Sequence, residues 1–448
     1  WHFANADDWP QWRYDAGHGA VTPHALPDEL HLQWTRQLPL ATPAWPSTQS
    51  KLDFDIASEP VAADGRLFVP HSTNDSVTAY ETATGKEIWR YSAEAPVRFA
   101  PVAKEGKVWF VSDDGHLYCL EAANGKLLWK FNGGPRERKV LGHGRMISSW
   151  PARGGPVHRD GKVWFTASIW PFMGIFVHCL DAETGRVIWT NSGDGMNYTV
   201  QPHGAPSFAT VAPQGHLALA GKNLIVPGGR SSPAVFDADS GKLLNFKYDK
   251  KRGHHRVYAA GDYYFMDGAR FKASDGNALA EARPGLIGNG RIINQNGSRI
   301  QAMELAGKIE TREVTDKRGR KGKETKFVSK TLWDAKIDSK DGSFFLQAGN
   351  RFFAGAENKV TAFELASLKA GKDEPVWSAP IEGKPWTMLA ADNRLFVVTE
   401  DSKLHCFGPP ETSPQNHPLA KNPLPQPDNP SNAQVQAILK HLQDTDGH

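Results

Sequence analysis

An eleven-residue unit recurs down this chain. Ala79-Tyr-Glu-Thr-Ala-Thr-Gly-Lys-Glu-Ile-Trp89 returns as Cys119-Leu-Glu-Ala-Ala-Asn-Gly-Lys-Leu-Leu-Trp129 and as Cys179-Leu-Asp-Ala-Glu-Thr-Gly-Arg-Val-Ile-Trp189. A fourth copy, Val235-Phe-Asp-Ala-Asp-Ser-Gly-Lys-Leu-Leu-Asn245, has Asn in place of Trp. The copies start 40, 60 and 56 positions apart, so the unit persists while the insertions between units vary. Each copy reads as two strands around a tight turn, because Thr, Asn or Ser followed by Gly supplies the positive φ a hairpin needs. An apolar strand precedes each copy (residues 107–112, 162–166 and 223–226), and a shorter one precedes that, as at 99–102 and 155–157. Four strands ending on Trp make one propeller blade.

Weaker units follow. One runs through Tyr263 to Asp275-Gly276, one from Gly290 to Trp333, and one from Arg351 to Trp377. Residues 394–399 and 403–407 then supply inner strands with no Trp strand after them, whereas residues 31–38 are an outer strand with no blade of their own. Pairing the two closes the ring and removes exposed sheet edges. The expectation is an all-β, eight-bladed propeller keyed by Trp34, Trp89, Trp129, Trp189, Asn245, Ala280, Trp333 and Trp377. Residues 1–30 are expected as an N-terminal extension packed on the ring, 31–408 as the propeller, and 409–448 as a Pro-rich tail ending in a short helix.

The pattern Ala-x-Asp-x-x-Thr-Gly-x-x-x-Trp resembles the tryptophan-docking motif of the pyrroloquinoline-quinone (PQQ)-like propellers. That family includes quinoprotein alcohol dehydrogenases and the assembly lipoprotein of the BAM complex. Gly144-Arg-Met-Ile-Ser-Ser-Trp150 and the segment around His203-Gly204 are similar to PQQ-like propellers of environmental bacteria, planctomycetes above all. The resemblance implies a bacterial protein working outside the cytoplasm, periplasmic or secreted. The chain starts at Trp1, and a signal peptide removed upstream is part of that expectation.

A formal charge of +3 on 448 residues, without an aromatic-interleaved basic stripe, argues against nucleic acid as a partner. No stretch approaches the roughly 20 apolar residues that span a bilayer. Cys119, Cys179 and Cys406 fall at the small apolar position of the repeat and read as inert core groups. Residues 311–330 carry eight basic and three acidic side chains and read as an extended hairpin or loop.

Function is expected on one face, where the links between blades and between second and third strands emerge. Those links hold Arg145, Trp150, Arg153, Trp170, Gln201, His203, Arg230 and His255, together with Tyr198. Guanidinium forks suit carboxylates or sulfates, and Trp and Tyr faces suit a ring. The leading expectation is therefore a binding module whose basic, aromatic funnel takes an anionic ligand, a carbohydrate among the candidates, or a partner protein. The alternative is a carbohydrate-active enzyme of lyase type, with His203, Tyr198 and His255 as acid/base candidates. PQQ-dependent dehydrogenation ranks last. The adjacent Cys-Cys pair that the resemblance leads one to seek is missing, and no Glu/Asn/Asp calcium set can be placed, so neither PQQ nor Ca²⁺ is expected. No metal site is expected either, since adjacent His254 and His255 would point to opposite sides on a strand and could not hold one ion without a loop conformation.

Overall fold

The computed structural model describes residues 7–194, 198–200, 204–208, 211–247, 253–315, 321–410 and 412–419. Eight antiparallel sheets of four sequential blade strands form the propeller. Blades 1 to 7 begin at Val61, Val102, Gly154, Ala218, Tyr258, Pro284 and Ser343. Blade 8 combines Pro385–Ala391, Arg394–Thr399 and Lys403–Gly408 with the N-terminal strand His31–Gln37. The closing register runs from His31 opposite Gly408 to Gln37 opposite Lys403. The expected closure by strand 31–38 is what the structure shows.

Docking of each blade on the next explains the repeat. The indole N–H groups of Trp34, Trp89, Trp129 and Trp189 donate at 3.0 Å to the carbonyls of Thr82, Ala122, Glu183 and Ala238, each in the motif turn of the following blade. Asn245 keeps a longer version of the same bond, 3.3 Å to the Ala273 carbonyl. Trp377 donates to the Leu30 carbonyl, just ahead of the closing strand. Trp333 is the departure, its buried indole nitrogen lacking an acceptor. A register shift beside the docking residue recurs in the outer strand pairs of blades 1 to 4 and 8. Such bulges re-aim a side chain, here across the gap between blades. Cys119, Cys179 and Cys406 sit opposite Trp129, Trp189 and Trp34, buried and unpaired with each other. Burial pushes the Cys119 and Cys179 thiols up to about 12, so they stay protonated.

The channel between the eight inner strands is filled by the chain's own N-terminal segment. Residues 7–22 run around it and meet every blade. The Ala62 amide donates to the Trp9 carbonyl, Ala103 to Pro10, Leu219 to Ala16, Ala259 to Gly17, Ile287 to Gly19 and Gln347 to Ala20. The His158 amide donates to the Gln11 side chain, and the Asp392 amide to the Asp7 carbonyl. Val21–Thr22 then pairs in parallel with the inner strand of blade 7. Inner strands are sheet edges whose free N–H groups need partners, and the plug supplies them.

The basic segment of blade 6 is a two-stranded ladder, Lys308–Thr315 against Lys321–Val328, that pairs with no other strand. The strand Gln415–His417 adds in parallel to the outer strand of blade 8. The expected helix in the tail lies outside the described residues. No helix among the described residues is long and apolar enough to cross a membrane.

Candidate active site

The links entering the first strands of blades 1, 5, 6, 7 and 8 converge on a funnel above the plug. A cavity of about 390 Å³ is lined by Glu59, Arg256, Tyr258, Phe344 and Trp386, with Trp12 and Arg13 contributed by the plug. A second cavity of about 720 Å³ opens beside it, sharing Arg256, Tyr258, Gly285, Ser343 and Phe344, and reaching His254, Asp267 and Arg283. Each falls within the range of small-molecule sites.

Two guanidinium groups line the smaller cavity with Lys384, facing the carboxylates of Asp53, Glu59 and Glu400. Arg13 lies 4.7 Å from the Tyr258 ring centroid and donates to the carbonyls of His18, at 3.1 Å, and Gly285. Burial pulls its pKa down from the ordinary value. Arg256 lies 4.9 Å from the Trp386 ring centroid. Neither has a carboxylate within 4 Å among the described residues, whereas Lys384, on the same wall, is paired with Glu400 at 2.7 Å. Glu59 is 5% exposed, and burial raises its carboxyl to about 7 against the opposing pull of Arg256, Trp12 and Arg13. The buried Trp386 indole nitrogen has no well-formed hydrogen bond, although it lies near enough to Glu59 to favour the carboxylate. Beneath, Trp12 stacks on His216 at 4.2 Å and 5°. The His216 Nε2 accepts the Ala100 amide at 3.1 Å, and burial holds its pKa well below the ordinary value. Its 3.9 Å approach to Glu59 is therefore not an ion pair.

At the rim, Asp53 accepts from His255 Nε2 at 2.6 Å. Burial opposes ionisation of Asp53, but the His255 bond and neighbouring positive charge outweigh it and hold the carboxyl below its usual range. Burial takes His255 down to about 3, so both groups keep the hydrogen-bonded, neutral-imidazole form at neutral pH. The ligand atoms of Asp53, His254 and His255 lie within 4.8 Å of one another, a set able to hold a metal ion. The two histidines belong to a link, where their rings stack at 4.6 Å. The link gives the two histidines the loop conformation that facing one ion would require.

The residues singled out from sequence mostly serve the fold. Arg153 is fully buried and forms a bidentate pair with Asp113 at 2.9 Å on both arms. Arg98 joins Asp113 at 2.7 Å and Asp55 in the same buried chain, and holds the Asp113 carboxyl down at about 2 together with Arg153, against burial. Arg145 clamps Asp75 with two bonds of 2.7 and 2.6 Å. Trp150 is buried and donates to the Met173 carbonyl at 2.8 Å. Trp170 is half-buried ahead of a short turn of helix, Arg230 is exposed at a hairpin turn, and Tyr198 is exposed on a separate two-stranded ladder. Gln201 and His203 lie outside the described residues. His255 borders the funnel through Asp53. The residues sequence reasoning missed are Trp12, Arg13, Glu59, Arg256 and Trp386. One signal pointed to Arg256, its place in the basic link before blade 5.

The family model described as outer membrane protein assembly factor BamB matches residues 12–267, more than half of the chain. The dehydrogenase subunit of a quinone alcohol dehydrogenase from Gluconobacter oxydans is 34% identical over 143 residues, covering 29% of this chain and 18% of that protein. The glycerol dehydrogenase large subunit of the same species is 23% identical over 265 residues, covering 52% and 35%. The matched part thus spans about a fifth to a third of these relatives' length. Among solved structures, a quinohemoprotein alcohol dehydrogenase from Pseudomonas putida HK5 superposes with TM-score 0.54 at 14% identity, covering 96% of this chain and 85% of that one. A europium-containing methanol dehydrogenase gives 0.51 at 12%, covering 88% and 89%. At such identities the likeness is one of fold.

These findings correct two expectations. The non-enzymatic binding module for a glycan or protein, with glycan lyase chemistry as its alternative, gives way because the relatives are dehydrogenases. The expectation of no PQQ falls with it. That expectation rested on a missing cysteine pair and an unreadable calcium set. The funnel instead draws its flat faces and charges from Trp12, Arg13, Glu59, Arg256 and Trp386, which no local spacing connects.

Proposed function

The chain belongs to the PQQ-repeat family described as outer membrane protein assembly factor BamB, and on that scaffold we propose a quinone-dependent oxidoreductase that binds PQQ in the funnel and oxidises an alcohol. The observation that carries the reading is the pair of guanidinium groups, Arg13 and Arg256, each lying on an aromatic ring with no carboxylate within ion-pair distance among the described residues. Partly buried cations without a counter-charge are costly unless a ligand brings one, and the flanking rings suit a planar one. PQQ is planar and carries three carboxylates, so these residues fit it. The family description and the relatives also favour a site of action outside the cytoplasm.

Arg13 and Arg256 would hold the carboxylates, with Trp12, Tyr258 and Trp386 presenting ring faces. Asp53 and Glu400, whose partners here are His255 and Lys384, are wall carboxylates whose oxygens could hold an accompanying Ca²⁺. Bound there, PQQ supplies the two-electron acceptor for conversion of an alcohol to a carbonyl compound. Glu59 takes the hydroxyl proton on its carboxylate, since a carboxyl near 7 is substantially ionised at neutral pH yet basic enough to accept a proton. The larger cavity beside it would receive the alcohol.

Titration of the full chain with PQQ and Ca²⁺, followed by absorbance and by dye-linked oxidation of primary alcohols and glycerol, tests this. Stoichiometric binding with turnover is expected, with Arg256→Ala weakening PQQ at least about tenfold. No binding and no oxidation by the parent protein would overturn the proposal.

A further inference from the structure

We infer that the N-terminal plug is itself part of the binding site: it places Trp12 and Arg13 beneath an aromatic polycarboxylate in the funnel, and ligand and plug stabilise one another. The inference rests on the proposed ligand site and goes beyond it by making a segment outside every blade a working part of that site. First, the plug is threaded rather than draped. Between Asp7 and Ala20 its backbone or side chains accept an amide hydrogen bond from the inner strand of each of blades 1 to 7, and from Asp392 in the turn that follows the inner strand of blade 8. Second, it is held in an uncommon conformation. Arg13, Tyr14, His18 and Ala20 have φ of 52°, 83°, 66° and 55°, in the left-handed region that residues with a Cβ seldom occupy. Strain of this kind survives where surrounding structure over-determines it, and it concentrates at functional sites.

Third, the path is built to aim side chains. Asp15 Oδ1 accepts the amides of Gly17 and Gly19 at 2.9 and 3.0 Å, turning the chain back. A Cβ on Gly17 would stand 2.1 Å from the Ala259 carbonyl oxygen, so the closest approach requires glycine. The turn leaves Trp12 with one ring face on His216 while its indole lines the funnel, and lays Arg13 over Tyr258. Beyond anchoring the plug through the His18 and Gly285 carbonyls, Arg13 brings to the cavity wall a cation with no carboxylate within 4 Å among the described residues, beside the Trp12 indole.

The experiment uses the full chain with PQQ and, separately, benzene-1,3,5-tricarboxylate, an aromatic polyanion without quinone chemistry. Affinity is read from tryptophan fluorescence, and hydrogen exchange is followed at the plug-bonded amides of Ala103, Leu219, Ala259, Ile287 and Gln347. Both ligands should slow exchange at those amides at least tenfold, and Arg13→Gln should weaken both at least tenfold. Gly17→Ala should unseat the plug and raise exchange there; should it fail to fold, Arg13→Gln still decides. Binding of the tricarboxylate alone, with the same dependence on Arg13, would retain the inference and remove the quinone reading. Binding of PQQ that leaves plug exchange and Arg13→Gln affinity unchanged would overturn the inference and retain the quinone reading. Failure of both ligands to bind the parent protein would overturn it too.

Discussion

Trp34 and Gly85 meet across the seam that closes the ring. Trp34 is 1% exposed, and a Cβ on Gly85, whose φ is +68°, would lie 2.7 Å from the indole. The motif glycine therefore serves twice, turning the hairpin and admitting the neighbour's tryptophan. Truncating Trp34 to Ala should cost about 3–5 kcal/mol, as other buried aromatic deletions do; denaturant unfolding with an unchanged midpoint would refute the docking role. The two arginines chosen from sequence should separate sharply. Arg153→Ala strands Asp113 in the core with Arg98 alone, a loss of about 3–5 kcal/mol. Arg145→Ala breaks a half-buried pair whose side chains are 28% and 25% exposed, worth about 1 kcal/mol. Comparable unfolding midpoints for the two variants would contradict the burial assigned to them.

At the scale of elements, the hairpins of blades 1 to 4 were legible because Thr-Gly, Asn-Gly or Ser-Gly sits inside an alternating apolar pattern. The plug was not. Its residues carry no strand pattern, since their hydrogen bonds go to eight different blades rather than along one strand. The blade 6 hairpin is the converse case, with its charge run evident and its ladder complete in itself. Its contact with the ring includes Phe327 against Tyr263 and the Arg270 guanidinium. Replacing residues 309–327 with a two-residue Asn-Gly turn should leave a single cooperative transition, lowering Tm by less than about 3 °C on a domain of this size. A larger drop, or a broadened transition, would show that the hairpin braces blades 5 and 6.

The whole molecule carries an acid sensitivity that no single site explains. Burial holds His18, His71 and His255 down at about 3, and His158 and His178 at about 4. The unfolded chain takes up protons at these histidines below about pH 6.5, while the folded chain does not. Stability is therefore full above that value and falls as pH drops toward the folded values, by about 1.4 kcal/mol per pH unit for each histidine. Asp113, held at about 2, adds its own loss only from about pH 4 downward. Thermal unfolding should thus weaken steeply between pH 6.5 and 4. A Tm that stays flat to pH 4.5 would mean these imidazoles reach solvent.

By itself the sequence determined the repeat, the hairpins, the docking tryptophans and the strand that closes the ring, because each depends on neighbours within one or two blades. It also indicated that a charged, aromatic face should exist. Which residues form it was decided by tertiary structure. Arg153 and Arg256 are equally basic in the chain, and only the fold sets Asp113 beside one and a bare cavity beside the other. Trp12 and Glu59 lie 47 positions apart and Trp386 more than 300 further on. They meet because a closed ring brings the ends of its inner strands to one mouth, a proximity that sequence spacing does not encode.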